Sequence, residues 1–321
     1  MNKKVLIILV IFVIAIVGGY FLLNKKDILS NIIETNSNNP YKKYTAIDTS
    51  LSKNTIAYIP LDDRPINLDR VKYLAESIDY NLVLPDINDY KTYLDNTGKN
   101  KYGTQFGNPQ NLAKWLNNME DEGCDYYIIS LDQLFSGGLV GSRYLTDNDF
   151  ESTGTDFNYV KKALERIVND SNNHIYLFDT IMRLASTVSF YGLDLDTYNN
   201  LYNYGSISRK LLKDNELTVE NIINNYKYDE NGNIIGADFT YKGKNYSEKQ
   251  EVIDKYLKAR ERKLRLYDYY FKILQGKNNV TLTVSVDDSN DAPNSIQKNE
   301  TDYVKALADQ TNREIYIRDQ L

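Results

Sequence analysis

One histidine and one cysteine in 321 residues leave the chain without most familiar catalytic groups. Cys124 has no partner for an intrachain disulfide, and no cysteine cluster exists to hold a metal. His174 stands at the start of a β-rich run, the opposite pole from the strand C-termini where α/β proteins bind ligands. A Ser-His-Asp or Cys-His nucleophile arrangement is therefore implausible, and so is a zinc site built on His and Cys. No Gly-x-x-x-x-Gly-Lys-Ser/Thr loop is present, and no Gly-x-Gly-x-x-Gly follows the first strand, so ordinary nucleotide cradles are missing. Excess positive charge is missing too. A net charge of −6 argues against nucleic acid as a partner, because phosphate backbones are held mainly by surplus Lys and Arg.

What is present is a globular composition, 42% hydrophobic and 26% charged, with room for one large or two small domains. The 28 tyrosines reflect an Asn-, Lys-, Ile- and Tyr-rich bias along the whole chain more simply than a carbohydrate-stacking surface. Residues 1–23 read as a membrane anchor or signal segment. Val5 to Leu23 is uncharged, apolar and flanked by Lys3-Lys4 and Lys25-Lys26. As a helix at ~1.5 Å per residue it reaches just under ~30 Å, about one hydrocarbon core. The expectation is an uncleaved, single-pass anchor through residues 5–23 with the domain facing outside; secretion after signal cleavage is the alternative. Lysines on both sides make the charge rule indecisive, and the short N-terminal tail favours export of the domain. Residues 24–54 read as a polar tether.

From residue 55 to 321, short β-rich runs alternate with amphipathic stretches. The fold class this implies is α/β: a mostly parallel sheet of about six strands with flanking helices. An incomplete (β/α) barrel is one arrangement and a doubly wound open sheet is the alternative. Expected strands are 55–60, 82–84, 126–130, 175–178, 280–286 and 314–317. Expected helices include 68–78, with Val71, Leu74, Ala75 and Ile78 inward, and 108–122, capped by Asn108 and Pro109. Leu112, Trp115, Leu116 and Met119 form the buried stripe of the latter. Helices are also expected at 157–169 and about 295–309. Residues 192–247 read as an insertion with a helix around 207–213 and a hairpin over 226–246 that turns at Asp229-Glu230-Asn231-Gly232. A long helix follows, with Ser247 and Gln250 at capping-box spacing, Gly276 as terminator and its Lys, Arg and Glu residues on a solvated face.

Four strands run into carboxylates: Asp62-Asp63, Asp132, Asp179 and Asp287-Asp288. Three of those ends carry an arginine a few residues on, Arg64, Arg143 and Arg183. Parallel strands share one C-terminal crevice, so these side chains should converge there. Strand alternation turns adjacent aspartates to different faces, so one of Asp62 and Asp63 points inward while the other pairs with Arg64 or caps the following helix. Gln133 and the paired glycines Gly137 and Gly138 belong to a loop suited to lining a site or making a tight bend.

At these segments the chain resembles a bacterial family, the domain of unknown function DUF4127. The resemblance is carried by Ile59-Pro60-Leu61-Asp62-Asp63-Arg64-Pro65-Ile66-Asn67, Ser130 to Leu134 with Gly137 to Arg143, Phe178-Asp179-Thr180-Ile181-Met182-Arg183, and Asp287-Asp288-Ser289. It covers about residue 55 to the C-terminus. Members are generally longer, which implies that a C-terminal portion is missing here; the resemblance implies no particular reaction. The residue chemistry points first to an extracytoplasmic hydrolase acting on carbohydrate or anionic envelope material. Asp62, Asp63, Asp132, Asp179, Asp287 and Asp288 are its acid, base or nucleophile candidates, and Arg64, Gln133, Gly137, Gly138, Arg143 and Arg183 its substrate contacts. A phosphoester- or polymer-processing enzyme using Mg²⁺ or Ca²⁺ is one alternative, and a non-catalytic envelope-binding or scaffold protein another. No resident cofactor is required by the first reading.

Overall fold

The change of hydrophobic period between short β-branched runs and longer amphipathic stretches is realised as strands and helices in alternation. The computed structural model describes residues 54–92, 99–145, 157–186, 195–287, 295–311 and 317–318. Among these, the strands are β1 (Thr55–Ile59), β2 (Asn81–Val83), β3 (Tyr126–Ser130), β4 (His174–Ile181), β5 (Asp238–Tyr241), β6 (Lys244–Ser247), β7 (Val280–Val286) and β8 (Ile317–Arg318). Helices are α1 (Pro65–Ser77), α2 (Ile87–Tyr90), α3 (Pro109–Asp121), α4 (Leu131–Ser136), α5 (Leu139–Ser142), α6 (Phe157–Asn169), α7 (Leu195–Ser206), α8 (Val219–Asn225), α9 (Gln250–Leu274) and α10 (Ile296–Gln310).

The main sheet runs β2-β1-β3-β4-β7-β8, and every neighbouring pair is parallel. This order corrects the barrel arrangement. In a (β/α) barrel each strand lies beside its sequence successor, whereas here the chain steps from β1 to β2 on one side and then crosses β1 to reach β3. The result is an open sheet that reverses direction between β1 and β3, a topological switch point.

Alternate strand residues (Ile129 on β3, Ile175 and Leu177 on β4, Leu282 and Val284 on β7) share one core with helix residues such as Leu116, Leu164, Tyr267 and Val304. Helix α3 starts as its sequence dictates: Asn108 accepts from the Asn111 N–H, Pro109 takes the first position, and Trp115 and its stripe are buried. The opposite sheet face is thinly covered. Tyr176 is 55% exposed, and His174 stacks on Tyr126 with ring centroids 5.0 Å apart.

Three helical expectations are corrected. Helix α1 buries Leu68 and Ala75, while Leu74 and Ile78 are 62% and 63% exposed, so its inward line lies beside the stripe the sequence offers. The helix expected at 207–213 ends before that span. The buried guanidinium of Arg209 folds back onto the Tyr204 and Ile207 carbonyls and stops α7 there. Helix α9 lacks the capping box: Ser247 closes β6, and Lys249 occupies the cap position without a side-chain bond. Its charges are not all solvated either, since Arg260, Arg262 and Lys263 are buried.

The hairpin expectation divides in two. Asp229 accepts from the Asn231 and Asn233 N–H groups at one turn. The paired strands β5 and β6 are joined by Lys242 and Gly243, both at positive φ, the geometry that twisted strands favour. The apolar run 5–23, the tether up to residue 53 and Asp288 lie outside the described residues. Among the described residues, no helix is long and apolar enough to cross a membrane.

Candidate functional site

The C-terminal ends of β1, β3, β4 and β7 surround a hollow of about 350 Å³. From β1 it receives Asp62 and Arg64, from the segment after β3 Val140 and Arg143, from β4 Thr180 and Arg183, and from β7 Ser285 and Asp287. Its position beside the switch point is where open parallel sheets gather ligands.

Asp62 is buried and fully engaged. Its carboxylate accepts the Arg64 backbone N–H at 3.0 Å, the Asn67 amide at 2.6 Å, and the Arg64 guanidinium, with Nη2 at 2.8 Å. These bonds fix the turn that leads into α1, where Pro65 takes the first helical position and no side chain caps the helix. The Arg64 side chain stays 48% exposed at the mouth of the hollow. Asp63 turns elsewhere, as alternation requires, toward Lys91 and the backbone of Thr92; burial pushes its pKa up. Across the hollow, Arg143 Nη1 meets Asp287 Oδ2 at 2.8 Å, and its Nε donates to the Leu139 carbonyl. Arg183 donates to the Ala185 and Ser186 carbonyls and lies over the Tyr198 ring.

Asp132 and Asp179 are not in the hollow. On β4 the alternation sends Thr180 toward it and Asp179 to the other face, where Asp179 meets Asp132 and the ammonium of Lys263 from α9. Lys263 Nζ is 2.6 Å from Asp132 Oδ1 and 2.6 Å from Asp179 Oδ1. Burial, reinforced by the charge of Asp132, pushes the Asp179 carboxyl up to about 8 despite Lys263. Burial alone would lower Lys263; the two facing carboxylates outweigh it and hold the ammonium above its usual range. Thr180 Oγ1 donates to Asp132 Oδ2 at 2.8 Å and so links this buried triad to the hollow.

Gln133, Gly137 and Gly138, expected as substrate contacts, lie behind the lining of the hollow and not in it. Gln133 is wholly buried; with its amide nitrogen turned toward them, it donates to the Leu61 and Tyr90 carbonyls and joins two loops. Gly137 and Gly138 have φ of +70° and +120°. A Cβ at Gly138 would lie 2.6 Å from Thr92 Oγ1, so the pair forms a tight bend that turns Val140 and Arg143 toward the hollow.

The supporting cations of α9 escaped the sequence reading. Arg260 forms a two-pronged pair with Glu300 of α10, at 2.7 and 2.8 Å, and donates to the Met182 and Arg183 carbonyls. Arg262 donates to the Ser142 and Tyr144 carbonyls on either side of Arg143. A signal was present: Ile253, Tyr256, Arg260, Lys263, Tyr267, Tyr270 and Leu274 repeat at alternating three and four residues, all buried. Two cations inside an otherwise apolar stripe imply buried anions opposite.

Among the described residues, no three His, Cys, Asp or Glu side chains come together to hold a metal ion. Residues 56–318 match the family model described as "Protein of unknown function (DUF4127)". No curated protein and no solved structure matches the chain.

Proposed function

The chain belongs to the DUF4127 family, whose description names no activity, and from the hollow itself we propose recognition of a small ligand bearing a phosphate, sulfate or carboxylate group. The observation that carries this is the arrival of Arg64, Arg143 and Arg183 from three different strand ends around one cavity. Three arginines against two aspartates leave one positive charge at the lining, in a chain whose net charge is −6. Guanidinium forks suit planar and tetrahedral oxyanions. Asp62 and Asp287 serve this reading as orienting partners of Arg64 and Arg143. The apolar segment 5–23 supports presentation of the domain at the outer face of the membrane.

Hydrolysis is the second reading, and Asp63 is its foothold. Glycoside cleavage needs two available carboxyl groups, whereas Asp62 and Asp287 each face a guanidinium, and Asp132 and Asp179 share Lys263 below. Asp63, held protonated to higher pH by burial and hydrogen-bonded to the Thr92 backbone beside the hollow, has the character of a general acid. Asp63→Asn should then abolish turnover while leaving anion affinity intact.

Calorimetric titration of the full chain in detergent with inorganic phosphate, sulfate and acetate at low salt tests the binding proposal. Charge-assisted hydrogen bonds contribute about 1.5–3 kcal/mol, so Arg64→Ala or Arg183→Ala should each weaken binding roughly tenfold or more. Absence of binding by all three anions, or affinity indifferent to both substitutions, would rule it out.

A further inference from the structure

Building on the anion-binding reading, we propose that the hollow selects a hydroxylated anion, with Thr180 as the residue that recognises the hydroxyl. A carboxylate can only accept hydrogen bonds, and a threonine hydroxyl has one proton and two lone pairs. Lys263 Nζ, a donor without lone pairs, lies 2.6 Å from Asp132 Oδ1, which leaves Oδ2 of that carboxylate to accept from elsewhere. The neighbouring Asp179 meets the same ammonium at 2.6 Å, and burial, with the charge of Asp132, pushes its carboxyl up. Thr180 therefore commits its single proton to Asp132 Oδ2, 2.8 Å away, and presents only lone pairs to the hollow it lines. Thr92, on the same lining, directs its hydroxyl to the Gly137 carbonyl at 3.4 Å and is in the same position more weakly.

The arginines contribute the opposite character, donors without acceptors. A ligand complementary to both carries an oxyanion for Arg64 and Arg183 and a hydrogen-bond donor for Thr180. An ammonium would supply the donor, but three guanidiniums at the lining repel it. A hydroxyl meets no such cost. The class is therefore a polyol phosphate, a sugar acid or a hydroxy acid. An anion without a donor leaves those lone pairs to water and gains nothing from Thr180.

Glycerol 3-phosphate and n-propyl phosphate share charge and carbon count and differ in two hydroxyls, so they make a matched pair for titration of the full chain. The expected result is about three- to tenfold tighter binding of glycerol 3-phosphate, the equivalent of one neutral hydrogen bond. Thr180→Val should erase that preference while leaving n-propyl phosphate affinity unchanged, and Thr180→Ser should keep it. Equal affinity of the wild-type chain for the two phosphates overturns the hydroxyl inference and leaves anion binding standing; this comparison does not depend on any variant folding. A preference that survives Thr180→Val overturns the role of Thr180. If neither phosphate binds, glycerate against propionate repeats the comparison, and failure of all four overturns the inference together with the anion reading beneath it.

Discussion

Replacing Lys263 by Met removes the ammonium between Asp132 and Asp179 and leaves a side chain of similar length. Both carboxyl groups are shielded from solvent, and each loses a 2.6 Å contact. Breaking a buried ion pair by deleting one partner costs about 3–5 kcal/mol, a large share of the ~5–15 kcal/mol that holds a domain together. The loss should depend on pH, with a definite sign. In the native chain Asp179 is raised from 3.8 to about 8, by burial first and the charge of Asp132 second. A raised carboxyl keeps its proton in the folded state after the unfolded chain has released it, so its stabilisation is full below the unfolded value. That stabilisation is lost as pH climbs through the folded one, at about 1.4 kcal/mol per pH unit. Without Lys263, which opposes the rise, Asp179 should hold its proton to still higher pH and the decline should continue further into the alkaline range. Urea unfolding at pH 5 and pH 8, followed through the buried Trp115, the sole tryptophan, measures this directly. The Lys263→Met deficit should be near its full value at pH 8 and clearly smaller at pH 5. A deficit under ~1 kcal/mol at pH 8, or one identical at both pH values, refutes the electrostatic account of the triad.

Asp179→Asn, a neutral mimic of the protonated acid, should flatten the wild-type decline between pH 5 and pH 8; an unchanged slope in the same urea assay would assign the titration elsewhere. Gly138→Ala places a Cβ 2.6 Å from Thr92 Oγ1 at φ +120°, and should lower stability by about 1–3 kcal/mol in urea denaturation. Glu300→Gln strips the buried Arg260 of its counter-charge, with an expected cost of about 3–5 kcal/mol, whereas an Arg260→Met/Glu300→Met double variant should lose less than either single change. Leu74→Lys, on the exposed side of α1, should shift stability by no more than about 0.5 kcal/mol.

The strands were legible because each is a short β-branched or aromatic run punctuated by Pro, Gly or Asp, and parallel strands leave their ends on one side. Asp62, Arg64, Arg143, Arg183 and Asp287 meet for that reason alone. The order of strands was not legible, since nothing local tells a chain leaving β2 which side of β1 to take. Parity at the end of β4 was equally hidden. Asp179 and Thr180 are adjacent, and the decision to send the acid down and the hydroxyl up rests on where Ile175 and Leu177 find their core. Helix α9 misled because Lys and Arg count as surface residues by default. A charged residue in step with Tyr256 and Tyr267 obeys the spacing of the stripe more than its own polarity.

Arg260, Arg262 and Lys263 occupy little more than one turn of α9, yet they grasp the chain after β4, the chain after α5, and the acids beneath both. Three walls braced by one strut must shift as a unit or stay still. Arg64, tethered through Asp62 and Asn67 instead, lies outside that brace. Accommodation of differently shaped ligands therefore falls to the β1 side, and variants there should alter which guest is accepted before they disturb the frame that receives it.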